Sequence, residues 1–153
     1  MTKSTYNTDN LKITQFDAHG SLSMQIEGRV LRSRARGPFN AEMLEATEVL
    51  ESPLFAEMSL GGKWVEILEF WNSALATADA LAQLDTYLQR IKVKGIAPLA
   101  TAIVLGDRLE GAAIMRERYA AAYASADWPC AFFSTVAEAE TWARQELADA
   151  NVG

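Results

Sequence analysis

Asp107 and Glu110 have the spacing in this chain that most resembles a pair of catalytic carboxylates. Side chains three positions apart share one face of a helix, where one carboxyl group can donate a proton and the other can accept one. The same two residues fit a capping box at the start of a helix, and that interpretation accounts for both of them. Glu66 and Glu69 project from opposite faces of a predicted strand and do not form a pair. We therefore predict no catalytic residue and a protein that is not an enzyme.

His19 and Cys130 are the single histidine and the single cysteine of the chain. His19 lies in a predicted turn, where a solvated side chain is expected, and Cys130 opens an apolar run that predicts a buried thiol. One histidine and one cysteine do not make a metal site or a nucleophile–base pair. The chain also lacks the glycine spacing of phosphate and dinucleotide loops. We expect neither a metal nor a cofactor.

Three arginines, Arg32, Arg34 and Arg36, alternate along a predicted strand and therefore project from one face, with Arg29 on the other. Guanidinium groups gathered on one face can bind a phosphate, a carboxylate or an acidic partner. The alternative is that they pair with glutamates of the same chain, for instance those within residues 42–51. The sequence leaves both interpretations open.

Large aromatic side chains and the ends of two strands indicate a place for a small ligand. Trp71 follows one predicted strand, and Gly106 and Asp107 follow the next. Ligands of open α/β sheets bind at the carboxyl ends of the strands. Tyr119 and Tyr123, one helical turn apart, can line the same surface. These five residues are predicted to contact a small lipophilic ligand, with core packing of the aromatic rings as the alternative.

Composition limits the function classes. Half of the 153 residues are hydrophobic, enough to build a core, and the formal net charge is −6. Nucleic-acid binding needs a basic surface and is not expected. No apolar run approaches the roughly 20 residues of a membrane span, the first ten residues hold no apolar signal-peptide core, and one cysteine cannot form an internal disulfide. These features predict a cytoplasmic protein without an integral membrane segment.

The elements that would position these residues alternate between strand and helix. The clearest unit runs from the apolar strand 99–105, through a helix that starts at Asp107, to the apolar strand 130–133. A helix between two buried strands predicts parallel strands joined by a right-handed crossover. We expect a single α/β domain over 11–150, after a loose arm at 1–10. The predicted order is β-β-α-β-α-β-α-β-α, with strands at 11–17, 22–36, 63–70, 99–105 and 130–133 and helices at 41–52, 78–92, between 107 and 128, and at 135–150.

Local signals predict how these elements begin, end and pair. Asn40 is the expected cap of the first helix, and Ser52-Pro53 is expected to end it, because proline disfavours helix at the residue before it. Gly28 is expected to form a bulge in the second strand. The first two strands should pair as an antiparallel hairpin in an otherwise mainly parallel sheet of about five strands.

Several short motifs accompany this order of elements. They are Arg36–Asn40 (RGPFN), Lys63–Glu66 (KWVE), Gly111–Tyr119 (GAAIMRERY), Trp128–Phe133 (WPCAFF) and Ala137–Trp142 (AEAETW). Together they resemble the STAS-like family of small bacterial domains, which is related to the anti-sigma-factor antagonists, and within it a branch with a lipid-binding CRAL-TRIO-like arrangement. The resemblance covers nearly the whole chain in element order. It implies a single-domain regulator or ligand binder that is not an enzyme.

Ser73 acquires a possible role only through this resemblance. Anti-sigma-factor antagonists carry a phosphorylatable Ser or Thr after an Asp, in the loop that opens the helix following a central strand. That place falls near residues 71–75 here, but Asn72 stands where the Asp would be, and the glycine that normally follows is absent. Ser73 is therefore either a phosphosite at a helix start or a loop serine that binds backbone amides.

Three functions follow from these observations. The first is a non-catalytic cytoplasmic STAS-like regulatory or protein-interaction module, with an unidentified protein partner or a second copy of the chain as a homodimer; a flat surface carrying the three arginines would favour it. The second is a carrier or sensor of a small lipophilic ligand at the carboxyl ends of the strands; a cavity lined by Trp71, Tyr119 and Tyr123 would favour it. The third and most remote is an enzyme of unrecognised type, which an enclosed polar cleft with converging titratable groups would favour.

Overall fold

The sheet and helices follow the predicted order, with one additional strand. The computed structural model describes residues 5–7 and 20–152, with side chains from residue 20 onwards. Its elements are β1 (Thr5–Asn7), β2 (Ser21–Glu27), β3 (Val30–Arg36), α1 (Ala41–Leu60), β4 (Val65–Trp71), α2 (Ala78–Lys94), β5 (Thr101–Val104), α3 (Ala112–Ser125), β6 (Cys130–Phe133) and α4 (Val136–Val152). The predicted class, α/β with a mainly parallel sheet and four helices, is confirmed.

The strands lie in the sheet in the same order as in the chain. β1 is antiparallel to β2 and β2 to β3, whereas β3, β4, β5 and β6 are parallel neighbours. Right-handed crossovers that always step in one direction across a sheet bring their helices to one face. α1, α2 and α3 accordingly pack on one face, and α4, which follows the last strand, packs on the other.

The antiparallel hairpin lies within the stretch that was predicted as one strand. Gly28 is a turn residue between β2 and β3, with φ of 62°, and not a bulge. A glycine adopts this left-handed conformation without the steric cost that a side chain would add. The strand predicted at 11–17 and the turn predicted at His19 lie outside the described residues. β1, within the range assigned to the arm, pairs with β2.

α1 continues through Pro53, so the prediction that Ser52-Pro53 ends it was wrong. Proline removes one hydrogen bond of the helix. The turns beyond it bury Leu54, Phe55 and Met58 in the core, and this burial outweighs the missing bond. Asn40 caps the helix as predicted, and its side-chain oxygen accepts a hydrogen bond from the backbone N–H of Met43 at 3.0 Å.

α3 begins at Ala112, not at Asp107, so the predicted capping box of Asp107 and Glu110 is wrong. Residues 106–112 form turns, and Gly111 precedes the helix with φ of 77°. A Cβ at Gly111 would lie 2.5 Å from a side-chain carbon of Leu75, so the loop before α2 packs directly on this glycine. Asp107 instead accepts a hydrogen bond from the Ser134 hydroxyl at 3.0 Å.

The other helix ends agree with the sequence. Gly95 follows α2 in the left-handed conformation. Thr135 precedes α4, and its hydroxyl accepts a bond from the backbone N–H of Glu138 at 3.3 Å. Within the part of the chain that the structure describes, no helix has the length and apolar character needed to cross a membrane.

Candidate functional site

A cavity of about 80 Å³ lies between the sheet and the layer formed by α1, α2 and α3. One water needs roughly 10–15 Å³ of such space, so this cavity exceeds the room for a single water several-fold. Protein interiors are otherwise close-packed, and spaces of this size are few. Its lining is Leu22, Ala35, Phe39, Met43, Leu44, Thr47, Glu51, Glu66, Leu68, Phe70, Ala76, Ala80, Leu81, Leu84, Tyr87, Leu88, Ile103, Tyr119, Tyr123 and Trp128.

The mouth of the cavity lies near the carboxyl ends of β3 and β4. The wall is half-buried at Leu44 and Thr47 on α1 and at Leu81 and Leu84 on α2. These four residues belong to the N-terminal halves of the two helices. The segments before those helices are tied together, since Thr77 N–H donates to the carbonyl of Phe39 at 3.1 Å. The cavity therefore reaches solvent beside the edge of the sheet where ligands of α/β proteins bind.

Two carboxylates lie at the deep end of this apolar space. Glu51 on α1 is 6% exposed and Glu66 on β4 is 3% exposed. The hydroxyl of Tyr87, on α2, donates to Glu51 Oε1 at 2.5 Å. Among the described residues, Glu51 Oε2 has no hydrogen-bond partner. We define the polar end of the cavity as Glu51, Glu66, Tyr87, Tyr123 on α3 and Trp128 before β6.

Hydroxyl groups from the neighbouring strands hold Glu66 in place. Ser33 on β3 donates to its Oε2 at 3.0 Å, and Thr101 on β5 donates to its Oε1 at 3.1 Å. The indole N–H of Trp128 in turn donates to the Thr101 hydroxyl at 2.9 Å. A carboxylate offers about four acceptor sites, so Glu66 keeps capacity for further donors.

Burial raises the pKa of both carboxyl groups. Removal from water raises the pKa of Glu66 from its ordinary 4.5 to about 7, although the bonds from Ser33 and Thr101 favour the charged form. Burial and the charge of Glu66 raise the pKa of Glu51 well above its ordinary value, against the opposing effect of the Tyr87 bond. Two nearby carboxylates in an apolar site do not both ionise readily, so near neutral pH the pair retains a proton.

Tyr123 presents an unused hydroxyl to the cavity. Its side chain is 4% exposed, and the hydroxyl has no hydrogen-bond partner within the described ranges. Burial raises the pKa of the phenol, and the charges of Glu66 and Glu51, which line the same cavity, raise it further. The phenol ring meets Trp128 edge-on, with ring centres 5.6 Å apart. Tyr119, by contrast, donates to the carbonyl of Ala74 at 2.6 Å.

The five residues predicted to bind a ligand separate into three places. Tyr119 and Tyr123 line the cavity. Trp71 is 43% exposed on the opposite face of the sheet, where the Arg34 guanidinium lies 4.1 Å from its ring centre. Gly106 and Asp107 line a separate cleft of about 220 Å³ beside α3 and β6. Phe70, one residue before Trp71, stacks on Tyr119 with ring centres 5.1 Å apart and takes the place in the wall expected of Trp71.

The arginine face, which we define as Arg32, Arg34 and Arg36, lies on the side of the sheet that carries α4. Arg32 pairs with Glu27 and Glu140, each at 2.7 Å, and Arg34 pairs with Glu69 at 3.6 Å. Arg36 is exposed and makes no ion pair within residues 20–152. None of the partners comes from residues 42–51. Arg29 lies in the turn before β3, not on the strand, and donates to backbone carbonyls, including that of Lys63 at 3.0 Å.

Ser73 is buried at the start of the loop that leads to α2. It is 1% exposed, and its Oγ accepts a hydrogen bond from the backbone N–H of Leu75 at 3.1 Å. Asn72 adopts φ of 65°, and its side-chain amide donates to the carbonyl of Gly37 at 2.8 Å. These bonds match the alternative of a loop serine that binds a backbone amide. Phosphorylation of Ser73 would require this loop to open.

Cys130 is half-buried at the start of β6, where burial raises the pKa of its thiol. A raised pKa leaves less thiolate, the reactive form. In the described part of the chain, no three His, Cys, Asp or Glu side chains come together as a metal site.

Sequence reasoning missed Glu51, Glu66 and Tyr87. Glu51 shares a helix face with Phe55 and Met58, but that spacing is visible only if α1 continues past Pro53. Glu66 follows Val65 in a mostly apolar strand that also holds Glu69, and a carboxylate in a strand covered on both faces is itself a signal. Tyr87 lies among the leucines of the α2 stripe and resembles any core aromatic residue.

Comparison with protein-family models, with curated proteins and with solved structures finds no match to this chain. The STAS-like resemblance of the short motifs accordingly remains a prediction.

Proposed function

We propose that this protein is a carrier or sensor of a small lipophilic molecule, which binds in the cavity between the sheet and α1–α3. The observation that carries the proposal is the cavity wall, in which aliphatic and aromatic side chains surround a few polar groups at one end. Small-molecule sites in proteins have this composition, with apolar walls for affinity and a small number of polar groups for orientation. The mouth beside the carboxyl ends of β3 and β4 supports the same interpretation.

Native mass spectrometry after gentle purification tests this function. We expect a small molecule to accompany the protein and to be released by organic extraction. Leu44→Trp places an indole in the half-buried mouth and is expected to abolish the adduct. Val49→Trp, on the exposed side of the same helix, is the matched control and should keep it. A wild-type protein that shows only its own mass, and that binds no added lipophile, would count against the proposal.

A second candidate function is the STAS-like regulatory or protein-interaction module, and the arginine face is the observation that favours it. Arg34 and Arg36 are exposed beside Trp71 on the face of the sheet that carries α4. Exposed guanidinium groups around an aromatic ring suit an acidic partner surface. Such a partner is either another protein or a second copy of the chain.

Charge reversal on the arginine face tests this second function. Arg36→Glu should weaken association with a protein partner, or shift a homodimer towards monomer in sedimentation velocity. Arg118→Glu, at an exposed position of α3, is the control for a general change of charge. Ser73→Asp tests the phosphosite in the same assay. Partner binding and sedimentation that are identical in wild type, Arg36→Glu and Ser73→Asp would exclude these roles.

A further inference from the structure

The polar end of the cavity has oxygens that can form more hydrogen bonds than the described residues supply. Glu51 Oε2 and the Tyr123 hydroxyl have no hydrogen-bond partner among the described residues, and Glu66 retains free acceptor sites. Among the described residues, every fully enclosed side-chain nitrogen or oxygen has a partner, so these two oxygens are unpaired because they face the space of the cavity, where water or a ligand can bind them. Both residues with unpaired atoms are nearly fully buried and line the same space.

The charge balance of the wall limits what can bind there. Two carboxylates line the cavity, and no Lys, Arg or His belongs to the described residues of the wall. An anionic head group would therefore meet like charge in an apolar site, which is unfavourable. A cation would meet opposite charge and the aromatic side chains of Tyr87, Tyr123 and Trp128, a residue type that can attract cations.

The number of acceptors matches one type of cation. An ammonium group has three N–H donors and no acceptor. Glu51, Glu66 and Tyr123, on three different elements, each offer an oxygen with spare capacity. We propose that the ligand carries a protonated amine, which Glu51, Glu66 and the Tyr123 hydroxyl hold at the polar end while its apolar part extends towards the mouth. This inference rests on the proposed function, because it concerns the chemistry of that same ligand.

Amine binding is linked to the protons of the site. The titratable groups around it are Glu51 on α1, Glu66 on β4, Tyr87 on α2, Tyr119 and Tyr123 on α3, and Cys130 on β6. Of these, the two carboxyl groups hold a proton near neutral pH, and an ammonium ion would displace it. Binding should therefore release a proton and strengthen as the pH rises from about 6 to about 8.

Three probes with the same chain test the inference: hexylamine, 1-hexanol and hexanoate, titrated by calorimetry into the protein after removal of any native ligand. We expect hexylamine to bind about tenfold or more tightly than hexanol, since charge-assisted hydrogen bonds are stronger than neutral ones. Hexanoate should bind most weakly. Titration at about pH 7 in two buffers of different ionisation enthalpy should reveal proton release with hexylamine and none with hexanol.

Conservative variants locate the amine. Glu66→Gln keeps a polar side chain between Ser33 and Thr101 and should remove the preference for hexylamine while leaving hexanol binding intact. Glu45→Gln, at an exposed position of α1, removes the same charge outside the cavity and should leave both unchanged. Hexanol binding in Glu66→Gln also shows that this variant is folded.

The outcomes separate the two proposals. Hexanol that binds as tightly as hexylamine would overturn the amine inference and leave the lipophile carrier in place. If hexylamine still binds to Leu44→Trp, or if Glu45→Gln weakens its binding as much as Glu66→Gln does, the amine binds the acidic surface of the protein. Either result would also overturn the amine inference. Failure of all three probes to bind would overturn both.

Discussion

Carboxylates lie on both faces of the sheet, in contrasting surroundings. On the face that carries α4, Glu140 is half-buried, and it accepts hydrogen bonds from Arg32 and Arg144, which lower its pKa. On the face that carries α1–α3, Glu51 and Glu66 are buried without a cation, and their pKa values rise. The same chemical group is therefore expected as an anion on one face and as a proton-holding pair on the other.

The two faces differ in the free energy that an ionised carboxylate requires. This free energy is small for the solvent-accessible Glu140 and large for the buried Glu51 and Glu66. Solvent-exposed ion pairs contribute little to stability, because water and salt screen them. Buried carboxylates without a counter-ion oppose folding when they ionise. A protein that retains such a pair beside a cavity has a feature that packing alone does not require, which is why we propose a ligand site on this face.

The pH dependence of the free energy of unfolding is expected to differ most strongly between the two faces. The folded protein holds protons on Glu66 and Glu51 that the unfolded chain releases above the ordinary pKa of 4.5. The free energy of unfolding should therefore fall as the pH rises from 4.5 through the folded-state pKa of about 7. The loss from Glu66 alone is roughly 3 kcal/mol. Urea unfolding at about pH 5 and about pH 8 measures it.

Glu66→Gln is expected to remove much of this fall in the free energy of unfolding with rising pH. The variant should be more stable than wild type at about pH 8, since an amide does not ionise. Glu140→Gln is the control on the other face. The lowered pKa of Glu140 gives stability that is present above 4.5 and lost as the pH falls through the folded-state pKa, the opposite direction. If the free energy of unfolding of Glu66→Gln fell with rising pH as steeply as that of wild type, the assignment of buried, proton-holding carboxyl groups would be contradicted.

Tyr87→Phe is expected to have the next largest effect. The phenol supplies the one hydrogen bond that Glu51 receives from the described residues. Its loss leaves a buried carboxyl group unpaired, at a cost of about 1–3 kcal/mol in the free energy of unfolding. Thermal or urea unfolding measures the change. In a Glu51→Gln background the same substitution should cost less, and equal losses in both backgrounds would show that the bond contributes nothing specific.

Arg32→Gln is expected to have the smallest effect, although it removes two ion pairs at 2.7 Å. The pairs are accessible to solvent, and such interactions contribute at most about 1 kcal/mol. The difference from wild type should shrink between about 0.05 M and about 1 M NaCl in urea unfolding. Arg108→Gln, at an exposed position, is the control. A loss as large as that of Tyr87→Phe would remove the distinction between the two faces.

The order of elements was predictable because it depends on local patterns. Short apolar runs such as 101–104 and the leucine stripe of α2 specify strand and helix through their periodicity. Gly95 and Asn40 mark helix ends through conformations that few residues adopt or support. The errors arose where packing overrides a local preference. Pro53 remains inside α1 because Leu54, Phe55 and Met58 are buried beyond it, and α3 starts late because Gly111 fits against Leu75.

The candidate site was predictable only in part. Tyr119 and Tyr123 were identified from their helical spacing, and the carboxyl ends of the strands were identified from the class of fold. Trp71 was expected in the cavity, but side chains alternate along a strand, so Phe70 lines the cavity while Trp71 faces the other way. A shift of one residue in the predicted end of β4 was enough to reverse that assignment.

The sequence by itself determined the strand-helix alternation, the parallel sheet and the alternation of the three arginines on one face, since each depends on neighbours within a few positions. The meeting of Glu51, Glu66, Tyr87 and Tyr123 was decided only by the tertiary structure. These residues come from α1, β4, α2 and α3, and no local pattern relates them. Their pKa values depend on burial and on mutual proximity, and both are properties of the assembled core.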